Sequence, residues 1–175
     1  MILVKSFVET LKRFYIQFDE YAGVISILSN DRRFIEPMTF RFVKNAMLTV
    51  EVDYTDEHIQ EIIFSYYSNS FDGLTSDGVE ILNISPSIVV PKKNEVERHA
   101  LYWNLDFQQT PLIFIGESYV DIGIEFKDAP DRIYRDGSLD IFVSDKAIVG
   151  FRLNELSESE LELIQERLTI NQRNE

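Results

Sequence analysis

The order of hydrophobic and polar residues predicts a mixture of strands and helices along the chain. Apolar residues alternate with polar ones, as on strands with one buried face, and the segment MLTVEVDY is the clearest case because it is also rich in β-branched residues. The predicted strands in this first third are about 14–19, 23–28, 38–43 and 47–53. Residues 79–90 predict one or two further strands broken at Pro86, because proline cannot donate to a ladder.

The second half of the chain adds four strand candidates. Their sequences are PLIFIG, YVDIGIEF, SLDIFVS and AIVGFRL. Two hairpin signals lie among them, Asp136-Gly137 and Asp145-Lys146, and only the first has the composition that strongly favours a type I′ turn.

A helix is predicted over residues 55–68. Thr55 suits the N-cap, and Asp56 and Glu57 suit the positive end of the helix dipole. Apolar residues then recur with helical spacing, as on an amphipathic helix with one buried face. The stripe consists of Ile59, Ile62, Ile63, Tyr66 and Tyr67.

A second helix is predicted over residues 157–168. Ser157 and Glu160 form a capping box, Leu156 and Leu161 a hydrophobic staple. Leu161, Ile164 and Leu168 would face inward. A short helix is favoured over residues 3–12, although the pattern leaves open whether the first 18 residues are helix or strand, and another short helix is expected within 91–103.

These elements predict one α+β domain over residues 1–175. We expect a mostly antiparallel sheet of six to nine strands with two to four helices packed against it. Long runs of strand without regular helical crossovers argue against a doubly wound parallel sheet.

The charge of the chain changes the picture of its partners. It carries 30 acidic and 17 basic side chains, a formal net charge of −13. Such a field repels phosphate backbones and anionic lipid surfaces, so we expect neither nucleic acid nor a membrane as partner, and a basic protein is favoured. There is no cysteine, no signal peptide pattern and no segment of ~20 apolar residues, so a cytoplasmic protein is expected. The oligomeric state is not predicted.

An acidic face near the C-terminus is the candidate partner-binding region. Glu162 and Glu166 lie four apart on the outer side of the predicted helix, where they repel each other and have no structural reason to be acidic. Asp136 and Asp140 are expected to extend this face. Trp103 is a candidate anchor, since tryptophan is enriched among the residues that dominate binding energy.

The sequence contains few residues or motifs that are typical of catalysis. His58 and His99 are the only histidines, and each is expected at a boundary or surface position. No nucleophile-elbow, dinucleotide-binding, P-loop or calcium-loop pattern occurs. We therefore predict no enzyme activity, no cofactor and no metal site.

One short motif is compatible with enzyme activity. Asp121, Glu125 and Lys127 read as D-x3-E-x-K on a predicted strand, where alternate residues share a face. The pattern resembles the E-x-K half of the restriction-endonuclease-like family, which implies two carboxylates holding a divalent cation and a lysine assisting the attacking water. That family places its aspartate on a neighbouring strand, so Asp106 would have to replace Asp121. Otherwise the segment is a half-exposed strand with Ile122, Ile124 and Phe126 facing the core.

Three functions follow from these observations. The favoured one is an inhibitor or immunity-type protein that blocks a basic partner such as a toxin. The alternatives are a structural or assembly subunit and, less favoured, the metal-dependent nuclease.

Overall fold

The computed structural model describes residues 1–8, 14–19, 24–31, 36–43, 48–64, 73–89, 92–99, 102–124 and 129–173. These residues form fifteen strands, a short 3-10 turn at Lys93–Glu95 and one α-helix, α1, at Glu158–Arg173. The strands are β1 Val4–Val8, β2 Phe14–Asp19, β3 Val24–Ser29, β4 Pro37–Phe42, β5 Leu48–Asp53, β6 Ile59–Phe64, β7 Glu80–Leu82, β8 Ser85–Ile88, β9 Glu97–His99, β10 Tyr102–Phe107, β11 Leu112–Ile115, β12 Val120–Gly123, β13 Arg132–Asp136, β14 Leu139–Ser144 and β15 Ala147–Leu153.

The strands form three sheets. Sheet I has seven strands in the order β2-β3-β6-β5-β4-β10-β9, and sheet II has six in the order β11-β12-β15-β14-β13-β7. Sheet III is the pair β1-β8. The pairings are antiparallel except for β4 with β10 and β7 with β13.

Sheets I and II share one hydrophobic core, to which α1 contributes Leu161 and Ile164. The core follows from strand alternation, since every second side chain of a strand lies on the same face. In β4 these core residues include Phe40 and Phe42, and in β5 Val50 and Val52. Burial of such side chains is the main favourable contribution to folding.

Sheet III lies against both large sheets. Val4 N–H donates to the Lys146 carbonyl at 2.9 Å, and Leu3 pairs with Ala147 at the start of β15. On the other side, the Ile88 N–H donates to the carbonyl of Glu57, in the β5–β6 hairpin, at 2.7 Å. The N-terminal strand therefore connects elements that are far apart in sequence.

The predicted α+β class is wrong. The chain is mostly β, with 58% of its residues in strands, three sheets, and a single helix within the described ranges instead of two to four helices packed on one sheet. The strands predicted at 14–19, 23–28, 38–43 and 47–53 are confirmed by β2 to β5.

The helix predicted over residues 55–68 is also wrong. Residues 54–57 form the loop of the β5–β6 hairpin, and Thr55 donates its N–H and hydroxyl to the Asp53 carboxylate instead of capping a helix. Ile59–Phe64 is a strand in the middle of sheet I, and the part of the prediction at 65–68 falls outside the described residues.

The misleading helical spacing has a local cause. The β5–β6 ladder changes register between Glu51 and Val52, which pair with Glu61 and Ile59. The extra residue in β6 is a β-bulge, and it puts Ile59 and Ile62 in the same core although they lie three apart. A bulged central strand thus imitates the i, i+3 pattern of a helix.

Two shorter helix predictions fail as well. Within 3–12, residues Val4–Val8 are β1, and the remainder lies outside the described part of the chain. Within 91–103 the structure has the 3-10 turn, β9 and the start of β10. Both regions pair with partners distant in sequence, so tertiary pairing overrides the local pattern.

The C-terminal helix and its capping box are confirmed. The Ser157 N–H donates to Glu160 Oε2 at 2.8 Å, and the Glu160 N–H donates to Ser157 Oγ at 3.3 Å. Leu161 and Ile164 are buried as predicted, whereas the side chain of Leu168 lies outside the described residues.

The type I′ turn that was expected at Asp136-Gly137 is found at Asp145-Lys146 instead. Asp145 and Lys146 both have positive φ, at 45° and 68°, as a type I′ turn requires. In the β13–β14 turn Asp136 pairs with Leu139, so the two loop residues are Gly137 and Ser138, and of these only Gly137 has positive φ, at 64°. Glycine in the first central position is characteristic of type II′.

The face of sheet II that points away from the shared core carries a row of alternating charges. Asp121, Arg152, Asp140 and Arg135 lie opposite one another on β12, β15, β14 and β13. Beside the row, Ile133, Phe142 and Val149 form a second small cluster, covered by Leu74 and Val79. The predicted half-exposed β12 is therefore wrong, because both of its faces are buried.

No helix in the described part of the chain has the length and apolar character needed to cross a lipid bilayer.

Candidate functional site

A groove runs beside β2, the terminal strand of sheet I. Within the described residues β2 pairs with β3 and with no other strand. The groove has a volume of about 500 Å³. It is lined by residues 14–16 of β2, 137–138 of the β13–β14 turn, Leu153 at the end of β15, 154–156 after it, and Glu160 of α1.

The β2 wall of the groove is amphipathic because successive side chains of the strand point to opposite faces. Phe14 is buried, and Ile16 and Phe18 are half-buried against the shared core. Tyr15 points to the other face and is 50% exposed. An exposed tyrosine beside half-buried apolar side chains is the composition of a contact surface, because aromatic rings supply large contact areas at low conformational cost.

The backbone of β2 faces the groove. The hydroxyl of Ser138 donates to the carbonyl of Phe14 at 3.2 Å, so that carbonyl points away from β3. In an antiparallel ladder the residues whose backbone groups point outward alternate, so the N–H and C=O groups of Ile16 and Phe18 point to the same side. This wall of the groove is the edge of a ladder.

The opposite wall is held by the chain between β15 and α1. The Asn154 N–H donates to the Ser138 carbonyl at 2.9 Å, and the Leu156 N–H donates to the Ser118 carbonyl at 3.0 Å. Between them Glu155 has a φ of 62°, a left-handed conformation uncommon outside glycine. These bonds fix an exposed glutamate at the rim of the groove.

Glu160 gives this wall a charge that persists at neutral pH. The Ser157 hydroxyl donates to its carboxylate at 2.6 Å, and the Ser157 N–H donates at 2.8 Å. These two hydrogen bonds, the hydroxyl first, lower the pKa of Glu160. The groove therefore combines an apolar strand edge with a fixed anionic wall.

The predicted acidic face is only partly at the surface. Glu162 and Glu166 are exposed on α1. Asp136 and Asp140 are each 2% exposed. Asp140 accepts two hydrogen bonds from Arg135, at 2.6 and 2.7 Å, and Asp136 accepts one from Ser85 at 2.6 Å. The structure does not bring these four carboxylates together on one surface.

Trp103 lies away from the groove. Its indole N–H donates to Glu36 at 3.1 Å, and the Arg98 guanidinium lies 5.4 Å from the centre of its ring. It is in β10, five strands from β2 in sheet I, which corresponds to about 24 Å at the usual strand spacing. Its predicted role as an anchor would concern a separate surface.

His58, Ser85 and Asp136 meet where the three sheets join, but their geometry does not suit nucleophilic catalysis. The Ser85 hydroxyl donates to Asp136 at 2.6 Å, and His58 Nδ1 lies 3.2 Å from the Pro86 carbonyl and 3.5 Å from Ser85 Oγ. A catalytic base must accept the proton of the nucleophile, whereas here the carboxylate accepts it directly. All three side chains are buried, and the expected boundary position of His58 is corrected to an interior one.

Asp121, the first residue of the nuclease motif, has a structural role. Asp121 is fully buried, and its carboxylate accepts hydrogen bonds from Arg152 and from the Leu74 N–H, the latter at 2.6 Å. Asp106, the substitute, is paired with Arg41 at 2.6 Å. Glu125 and Lys127 fall outside the described residues. In the ranges that the structure describes, no group of three or more His, Asp or Glu side chains could hold a metal ion.

Sequence reasoning missed the groove residues Tyr15, Ile16, Ser138 and Glu155. The alternation of FYIQFD predicts an exposed Tyr15, but nothing local says that β2 terminates a sheet. Glu160 was predicted only as a helix-capping residue, and its position in the groove depends on how α1 packs. A comparison with protein-family models and with curated protein sequences finds no match for this chain.

Proposed function

We propose that the chain is a small acidic binding protein of inhibitor or immunity type, which docks a basic protein partner such as a toxin and blocks it. The observation that carries the proposal is the groove beside β2, in which an apolar strand edge faces Glu155 and Glu160. An apolar centre with a charged rim is the usual anatomy of a protein interface.

The surrounding charge supports a basic partner. Glu155, Glu158, Glu162 and Glu166 are exposed on and just before α1, the helix that supplies one groove wall. A concentration of one sign of charge attracts an oppositely charged protein and raises the association rate. Asp136 and Asp140 do not contribute to this surface, because they are buried and hydrogen-bonded.

The proposal assigns no catalytic role, cofactor or nucleic-acid partner to the chain, and it places the chain in the cytoplasm. It leaves Trp103 as a predicted contact residue on a separate surface. An assembly subunit is the second candidate, and the open edge of β2 favours it, because such an edge can also pair with another copy.

The proposal can be tested by capturing partners from source-cell lysate at low salt and then measuring the association rate with the purified partner. Raising the salt concentration should slow association. Glu155→Lys with Glu162→Lys should slow it further, by at least about tenfold.

The matched control is Glu95→Lys with Glu97→Lys. It changes the net charge equally, but at the β9 end of sheet I, six strands or about 29 Å from β2. Circular dichroism should show that both variants fold. Equal association rates for the two variants would contradict the proposal, and self-association that depends on concentration without any partner would favour the assembly subunit.

A further inference from the structure

We infer that the partner occupies the groove with an extended basic segment, which adds as a new strand to the edge of β2 that pairs with no strand of the described residues. The inference rests on the proposed function and deepens it by naming how the partner binds. In this arrangement the backbone of the segment pairs with β2, and its lysine or arginine side chains meet Glu155 and Glu160.

The backbone of β2 is suited to such pairing. The groups of Ile16 and Phe18 point outward, while the outward carbonyl of Phe14 already accepts the Ser138 hydroxyl at 3.2 Å. A segment that lies in the groove at Ile16 can therefore continue along β2 to Phe18, beyond the residues that line the groove, and the Ser138 contact marks where the added strand ends. Strand addition of this kind takes its affinity from main-chain hydrogen bonds and its specificity from alternate side chains.

β2 is also the strand edge best suited by length and composition. The other terminal strands of the two large sheets in the described ranges are shorter: β9 and β7 have three residues each and β11 has four, against six in β2. Proteins commonly protect an edge from unwanted pairing with lysine or proline. The sequence of β2, FYIQFD, contains neither.

Charge complementarity selects a basic segment over a second copy of the chain. A second copy would bring the same glutamates to the groove and a total charge of −13. Its own β2 could not compensate, since FYIQFD contains one aspartate and no cation. A segment in which Lys or Arg alternates with apolar residues offers cations to the anionic wall and apolar side chains to the β2 wall, because successive side chains of a strand point to opposite faces.

The probe for the test is a fluorescent, end-capped octapeptide that alternates Lys and Val, with an octapeptide alternating Glu and Val as its control. Fluorescence polarisation should show that the Lys peptide binds and that the Glu peptide does not. Glu155→Gln with Glu160→Gln should weaken that binding by about tenfold. In hydrogen exchange by NMR, the amides of Ile16 and Phe18 should become protected when the Lys peptide is added.

Two matched variants separate backbone pairing from side-chain contact. Ile16→Pro removes an N–H that points away from β3, and proline is tolerated on an open edge, so the fold should survive. Ile16→Ala removes the side chain and keeps the N–H. We expect the proline variant to bind the peptide about tenfold more weakly than the alanine variant, in line with a lost hydrogen bond and a blocked edge.

The outcomes distinguish a failure of strand addition from a failure of the proposed function. If the Lys peptide binds through Glu155 and Glu160 while Ile16→Pro and Ile16→Ala bind equally, strand addition is overturned and the acidic groove stands. If the Lys peptide does not bind at all, the extended basic segment is overturned, and the captured partner still tests the proposed function. If the chain self-associates and Ile16→Pro abolishes that association, the occupant is a second copy.

Discussion

Arg152 and Asp121 lie directly opposite each other on β15 and β12, and the Arg152 guanidinium group contacts both carboxylate oxygens, at 2.6 and 2.9 Å. A second guanidinium–carboxylate pair, Arg135 with Asp140, continues the row across sheet II. The first pair is the more buried, because the side chain of Asp121 is 0% exposed and that of Arg152 is 12% exposed.

Removing one partner of this buried pair should destabilise the protein strongly. Arg152→Met leaves the Asp121 carboxylate buried without its counter-charge, and such losses cost ~3–5 kcal/mol. The free energy of unfolding, measured by urea denaturation, should fall by that amount. Arg152→Met with Asp121→Leu should recover a large part of the loss, since no buried charge then remains. A single variant as stable as the parent chain would contradict the burial of this pair.

The strand assignment of residues 59–64 predicts unequal effects at two adjacent isoleucines. Ile62 is fully buried in the shared core, whereas Ile63 is half-buried on the other face of β6. Ile62→Ala should cost ~2–5 kcal/mol, as for other large-to-small core substitutions, and Ile63→Ala should cost less. In a helix both would belong to one stripe. Equal losses for the two variants in thermal denaturation would favour the helix.

The cap of α1 should make stability depend on pH. The folded-state pKa of Glu160 is lowered by its hydrogen bonds from Ser157, the hydroxyl first. A lowered pKa contributes stability above the unfolded value, near the ordinary 4.5, and that contribution disappears as the pH falls through the folded value. The parent chain should therefore be more stable than Glu160→Gln at pH 7, and their difference should shrink below pH 4.5. A difference that stays constant down to pH 3 would exclude this cause.

Losing the serine of the same cap should weaken the helix. Ser157→Ala removes the hydroxyl that the Glu160 N–H donates to at 3.3 Å. N-cap losses of this type cost ~1 kcal/mol. Ser118→Ala, at an exposed serine between β11 and β12, is the matched control, because Ser159 is itself hydrogen-bonded to Ser157 Oγ at 3.1 Å. Equal melting temperatures for the two variants would show that the capping box does not stabilise α1.

The nuclease alternative predicts an activity that we do not expect. Purified protein with Mg²⁺ or Mn²⁺ should leave plasmid and single-stranded DNA intact, because Asp121 is committed to Arg152. Agarose gels after prolonged incubation would provide the measurement. Cleavage that disappears in Glu125→Gln and in Lys127→Ala would reverse this conclusion.

Features determined by neighbouring residues were predicted from the sequence. Ser157 and Glu160 are three residues apart, and their reciprocal bonds depend on nothing distant. Strands β2 to β5 were recognised in the same way, because alternation and β-branching act within one segment. The turn type predicted at Asp136-Gly137 failed by one position, since Gly137 occupies the first place of the loop instead of the second.

Features determined by sheet order were not predicted. Ile59 and Ile62 share the core because of a bulge opposite β5, and no local pattern distinguishes that bulge from a helical turn. The groove beside β2 has the same origin: Tyr15 and Glu155 line it together because β2 is the terminal strand of sheet I among the described residues and β15 leads into α1 beside it. The buried positions of Asp136 and Asp140 also depend on partners that are brought close by folding, Ser85 and Arg135.

The pairing of β1 has a consequence for how the chain reaches its fold. Ser6 meets Ser87 across 81 residues, and Leu3 pairs with the still more distant Ala147. Closing such long loops is entropically costly and slows folding. During synthesis β1 must wait for its partner β8, and the bridge from Leu3 to Ala147 forms only after the start of β15 has also been made. Binding of β1 by chaperones or by other nascent chains would then reduce the yield of folded protein, even if the folded protein is stable.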